Sequence, residues 1–131
     1  MDNLQYSLKV RLKRDGVFYG PGVSELLLRV DRTGSLQTAA GEMGMSYSKA
    51  WKIVRTAEQE LGFMLLERHV GGAGGGFSRL TEQGRSFVER YEAFQKAVYL
   101  NADRLFAEYF GGTFCAPQNN GEMEGERHEE D

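Results

Sequence analysis

A chain of 131 residues, 40% hydrophobic and 27% charged, has room for one domain with a core and for no second of ordinary size. No apolar run reaches bilayer length, and the first residues, MDNLQYSLKVRLKRD, lack the apolar stretch of a signal peptide. A cytoplasmic location without a membrane partner is the expectation. The net charge of −3 is unevenly spread: Pro117 to Asp131 holds six acids against Arg127 alone, a net of −5. That leaves 15 bases and 13 acids, a net of +2, for the rest of the chain.

Tyr6, Leu8, Val10 and Leu12 alternate with Ser7, Lys9, Arg11 and Lys13, which predicts a half-buried strand over 6–14. Asp15-Gly16 turns the chain, and Val17–Tyr19 returns as a second short strand. Val23, Leu26, Leu27 and Val30 then recur at helical spacing, so a first helix is expected from about Gly22 to Arg32. Thr33-Gly34 breaks it. Ser35 is a natural N-cap for a short second helix, Leu36 to about Met43, which Gly44 stops. Met45 points inward, and Ser46 caps a third helix running to about Leu61. Two helices joined by a glycine turn, the first very short, make a helix-turn-helix over 35–61.

Gly62 ends the third helix, and both 63–70 and 77–80 are compatible with strands. Between them lies GGAGGG, five glycines in six positions. A phosphate loop needs Lys-Ser or Lys-Thr after the last glycine, opening a helix, yet Phe77 follows Gly76. A dinucleotide fingerprint needs a helix there too, and FSRL is strand-like. A linker would need a core on each side, which these short segments cannot hold. The glycines therefore turn a hairpin, and a hairpin that follows a helix-turn-helix is a wing, here 63–80.

A long helix opens behind Thr81 and runs over 82–110. Its apolar seam, Phe87, Tyr91, Phe94, Val98, Leu105 and Tyr109, suits helix-on-helix packing. The fold class is α+β, mainly α, with an N-terminal hairpin, a wing and a long final helix. Residues 111–131 read as a disordered acidic tail, either merely solubilising or an autoinhibitory mimic of DNA. Cys115 is the lone cysteine, and with His69 and His128 it matches no zinc spacing. No nucleophile–base pair or carboxylate constellation stands out, so neither catalysis nor a metal or organic cofactor is expected.

Gly34 to Gly84 resembles the N-terminal winged-helix domain of ModE-type molybdate-responsive regulators, and more distantly the DNA-binding domain of LysR-type regulators. The likeness rests on Gly34-Ser35 with Ala39-Ala40, on MSYSKAW (Met45–Trp51), on Glu60-Leu61-Gly62 and on Leu66-Glu67-Arg68. The glycine wing and Leu80-Thr81-Glu82-Gln83-Gly84 complete it. The resemblance implies a transcriptional regulator that binds double-stranded DNA as a homodimer, with the long helix contributing Phe87, Tyr91, Phe94, Val98 and Leu105. That family carries molybdate-binding domains after the long helix, where this chain offers only a glycine-rich, acidic segment. It looks like a stand-alone DNA-binding version, and an oxyanion (molybdate) effector is not carried over.

On the third helix Ala50, Val54, Ala57 and Leu61 form the inward face. The outward side presents Tyr47, Ser48, Lys49, Trp51, Lys52 and Arg55, crowded where a recognition helix reads DNA. Ser48 and Lys49 are candidate donors to base edges, and Tyr47 to a base or a phosphate. Lys52 and Arg55 suit phosphates. Trp51 either packs under the wing or stacks at the DNA surface. Gln37, Thr38 and the amides behind Ser35 suit backbone positioning; Ser46, chiefly a cap, lies at the same edge. Arg68 and Arg79, on the two wing strands, are expected to face phosphates. The rival reading keeps the winged helix but makes this face a dock for another protein.

Overall fold

The structure, a computed structural model, describes residues 3–70 and 76–111. The wing tip over 71–75, Cys115, His128 and the acidic tail lie outside the described residues. Chain order is β1 (Leu12–Lys13), β2 (Val17–Tyr19), α1 (Pro21–Thr33), α2 (Leu36–Glu42) and α3 (Tyr47–Leu61). After these come β3 (Leu66–His69), β4 (Phe77–Leu80) and α4 (Glu82–Phe110). The architecture is mainly helical, with two small antiparallel hairpins, β1–β2 and β3–β4. This is a winged helix with a long C-terminal helix. The described residues form two compact units, Arg11–Tyr91 and a second that joins the N-terminal residues up to Val10 with α4 from Glu92 onward.

In the first unit, local chemistry sets the element ends. Pro21 opens α1 one residue earlier than the periodicity suggests, because the first helical position needs no N–H. Ser35 Oγ accepts from the Thr38 amide at 3.0 Å and starts α2. Gly44 takes φ 72°, a left-handed value open to glycine, and lets the Met45 amide turn back to the Ala40 carbonyl at 3.0 Å. Ser46 Oγ then accepts from the Lys49 amide at 3.1 Å and starts α3. Thr81 does the same for α4, its hydroxyl accepting from Gly84 N at 2.8 Å.

The core gathers Leu26, Leu27 and Val30 of α1, Leu36, Ala39 and Ala40 of α2, and Ala50, Val54 and Ala57 of α3. Leu65, Leu66, Leu80 and Val88 close it. Each fully buried leucine or valine contributes about 1.5–3 kcal/mol relative to exposure. Tyr19 is wholly buried, its ring edge-on to Phe87 at 4.8 Å and to Tyr91 at 4.9 Å.

That cluster corrects part of the seam expected on the long helix. Tyr91 is 3% exposed and belongs to the core of its own chain. Phe87 is half-buried between Tyr19 and Phe63, with ring centroids 4.8 and 6.2 Å away. Tyr91 is thereby closed to a partner, while Phe87 keeps part of its surface open. Phe94 (51% exposed) and Leu105 (45%) do stand out of the protein, together with Tyr109; Val98 is half-buried.

Two strand expectations also change. The first strand was expected over 6–14, but only Leu12–Lys13 pairs, because the returning strand has three residues. The apolar residues before it are used otherwise, within the second unit. Tyr6 packs its ring on Phe106 at 5.1 Å and donates its hydroxyl to Asp103, while Tyr99 Oη donates to the Leu8 carbonyl at 3.3 Å. Burial, and then the Asp103 carboxylate, push the Tyr6 hydroxyl pKa up. β3 begins at Leu66, not Phe63. The Leu65 amide goes to Glu58, while the Leu65 carbonyl still accepts from the Thr81 amide in register with the Leu66–Leu80 pair.

Candidate nucleic-acid interface

Helix α3 buries Ala50, Val54, Ala57 and Glu58, which leaves Ser48, Lys49, Lys52 and Arg55 exposed on the opposite side. No acid occurs from Tyr47 to Ala57, so over this stretch the exposed side of the helix carries cations alone. Gln37 and Thr38 of α2 are exposed, as is Ser46 at the α3 cap. Expected Leu61 is only half-buried; Glu58 takes the inward place instead.

Glu58 is the residue that sequence periodicity did not single out. It is 8% exposed, and its Oε2 accepts from the amides of Leu65 at 2.8 Å and Leu66 at 3.2 Å. The carboxylate thus ties α3 to the base of the wing. Its one signal in the sequence is an acid four residues after Val54, on the apolar face. Asp31 plays a similar part from α1: its carboxylate takes two bonds of 3.0 Å from Arg85 and one of 3.4 Å from the Leu80 amide. Nothing in the local sequence marks it.

The wing pairs Leu66 with Leu80, Glu67 with Arg79, Arg68 with Ser78 and His69 with Phe77. Alternation then sorts the side chains. Leu66, Ser78 and Leu80 are buried on one face, and Arg68 shares it. Glu67, His69, Phe77 and Arg79 share the other. There Arg79 Nε donates to Glu67 Oε2 at 2.7 Å and holds that carboxyl below its ordinary pKa, while His69 stacks on Phe77 at 4.6 Å. The two arginines, each expected to face phosphates, are therefore on opposite faces of the wing.

Arg68 reaches α3. Its guanidinium lies 4.2 Å from the centroid of the Trp51 ring, and Nη2 donates to Tyr47 Oη at 3.1 Å. Trp51 is half-buried under it, with Arg55 5.7 Å from the same ring. Tyr47 remains 43% exposed. A cleft of about 230 Å³ opens beside this pair, lined by Ser35, Gln37, Tyr47, Arg68 and Phe77 among others. Among the described residues, no group of three or more His, Cys, Asp or Glu could hold a metal ion. No described helix is long and apolar enough to cross a membrane.

A recognition-type helix, a short helix crossing before it and a wing beside it define a winged-helix domain. Residues 24–85 match the family model of the bacterial regulatory helix-turn-helix protein, lysR family. Over those residues the chain resembles the helix-turn-helix domain of that family. In sequence it is 35% identical over 89 residues to the molybdenum-pterin-binding protein MopB of Rhodobacter capsulatus, covering 68% of this chain and 33% of that protein. It is 33% identical over 86 residues to the DNA-binding transcriptional dual regulator ModE of Escherichia coli (strain K12), covering 66% and 32%. The chain thus spans about a third of the length of these relatives. In fold it is similar to the DNA-binding domain of CbnR crystallised with DNA, at TM-score 0.52 and 23% identity over 67% of this chain and 95% of that one.

Proposed function

We propose that this chain is a sequence-specific DNA-binding transcriptional regulator of ModE type that binds palindromic duplex DNA as a homodimer. One observation carries the reading: the outward side of α3 from Tyr47 to Ala57 is free of acids and stands beside a wing whose base is tied to that same helix. Ser48, Lys49 and Tyr47 occupy the first turns, where recognition helices read base edges. Lys52 and Arg55 lie further along for phosphates, and Gln37, Thr38 and Ser46 border them. Arg79, engaged with Glu67 on the outer wing face, is a flanking phosphate contact at most. The crystallisation of the similar CbnR domain with DNA supports the same use of the fold.

Dimerisation falls to Phe94, Val98 and Leu105, the part of the seam that the chain's own core leaves over. A two-fold dimer reads two half-sites on one duplex face, which is why a palindrome is expected. DNA binding is assigned to this chain's own residues and needs no oxyanion.

Sequencing the fragments of genomic DNA that the purified chain retains at near-physiological salt tests the reading. A few fragments sharing a palindrome, with or without added molybdate, are the expected result. Binding that shows no preference and vanishes as salt rises reflects phosphate attraction alone and defeats it. If reversing the charges of Lys49, Lys52 and Arg55 leaves DNA retention intact, the face serves a protein partner instead.

A further inference from the structure

We propose that Arg68 is a positioning residue that sets Tyr47 and Trp51 for DNA, and not itself a contact to the DNA backbone. The inference rests on the DNA-binding reading above and assigns a division of labour within it. Arg68 comes from the wing, yet its alternation in β3 turns it to the face shared by buried Leu66, Ser78 and Leu80. The residue is exposed, and its guanidinium is turned onto α3. One flat side covers the Trp51 ring at 4.2 Å, and Nη2 donates to Tyr47 Oη at 3.1 Å.

The hydrogen-bond chemistry fixes a polarity. A guanidinium has donors and no acceptor, so Tyr47 Oη must be the acceptor in this bond. The one proton on that oxygen is left free to be donated elsewhere. Tyr47 is 43% exposed at the first position of α3, on the edge of the cleft that borders Ser35 and Gln37. Held this way, the phenol presents a donor and selects an acceptor oxygen or nitrogen, of a phosphate or a base, over any donor group. Trp51, the chain's single tryptophan, is clamped beneath Arg68, which holds the side of α3 that faces the wing.

The test compares Arg68→Ala, Arg68→Lys and Tyr47→Phe, alone and combined, on the full chain, with an enriched duplex titrated across a salt series. Trp51 emission of the DNA-free proteins is recorded alongside. A lysine keeps the charge but loses the planar face and the fork. For a positioning residue, both Arg68 variants weaken specific binding about tenfold, the scale of one lost directional contact. The slope of log K against log salt stays at the wild-type value, and Arg68→Ala costs less in the Tyr47→Phe background than alone, the remainder being its hold on Trp51. If Arg68→Lys binds like wild type while Arg68→Ala lowers the slope by about one, Arg68 is a phosphate contact and the proposal fails. In the free protein both Arg68 variants shift Trp51 emission. An unchanged emission removes the clamp and overturns the proposal, whatever the DNA result. A wild-type chain that prefers no duplex defeats the DNA-binding reading instead, and Trp51 emission then decides the clamp by itself.

Discussion

The carboxylate of Glu58 accepts the backbone amide of Leu65 at 2.8 Å, across the junction between recognition helix and wing. The neighbouring Leu66 amide shares the same oxygen at 3.2 Å. An acid so enclosed supplies the acceptor for two backbone amides at the entry to the wing.

Removing that acceptor strands two buried donors. Glu58→Leu is expected to cost about 2–4 kcal/mol, since an unsatisfied buried donor costs about 1–3 kcal/mol. Glu58→Gln retains an acceptor oxygen and is expected to cost about 1 kcal/mol. For a domain of this size each kcal/mol lowers Tm by about 4–8 °C, so thermal melting separates the two variants. Equal melting temperatures would refute the role given to the oxygen.

Gly84 lies near the start of α4, where alanine ordinarily favours a helix by about 1 kcal/mol. A Cβ there would stand 2.3 Å from the Leu65 carbonyl oxygen, a backbone atom with no freedom to move aside. Gly84→Ala is therefore expected to destabilise by about 1–3 kcal/mol, the range for overpacking. Denaturant unfolding that shows a gain in stability would contradict the close approach.

Asp31 carries a pH dependence with a definite sign. Hydrogen bonds from Arg85, with the Leu80 amide adding to them, hold its carboxyl below the ordinary value. A depressed folded pKa contributes stability above the unfolded pKa, about 3.9, and loses it as pH falls through the lower folded value. Asp31→Asn should thus be less stable than wild type at neutral pH, and the gap should close below about pH 4. Melting curves from pH 7 to pH 2 check this, and a gap that widens in acid would be the wrong sign.

The two kinds of aromatic on α4 predict two kinds of failure. Phe94→Glu with Val98→Glu should leave the fold intact and halve the mass seen by sedimentation equilibrium, because Phe94 is exposed and Val98 only half-buried. Tyr91→Glu should unfold the domain, since it forces a charge beside buried Tyr19. An unaltered mass for the first variant would remove Phe94 and Val98 from the partner contact.

Lys52 and Arg55 should behave as phosphate contacts. Changing either to alanine is expected to weaken binding to all duplexes alike and to lower the salt slope by about one. Ser48→Ala and Lys49→Ala should instead relax the preferred sequence, which a selection from random duplexes would show.

The helix-turn-helix was legible because its signals are local. Ser35 and Ser46 cap helices with their own hydroxyls, Gly44 allows the turn, and both need no distant partner. What the sequence hid depends on tertiary partners. The alternation from Tyr6 to Leu12 marks apolar positions but cannot say that Phe106, not a neighbouring strand, will meet Tyr6. Periodicity on α4 finds an apolar seam without telling which members the same chain consumes, and Tyr19 takes Phe87 and Tyr91. Among the candidate readers, the side of α3 was legible from its spacing. The facing of Arg68 and Arg79 was not, because it depends on strand register.

That register makes the wing sensitive to parity. Leu66 opposite Leu80 anchors the inward set, and every second residue from Leu66 follows it, Arg68 included. A single residue inserted or deleted between Leu66 and Arg68 would carry the arginine to the side of Glu67 and Arg79, whereas a change of two would return it to Trp51. Homologous wings should therefore vary freely in tip length but differ by even numbers within the strands.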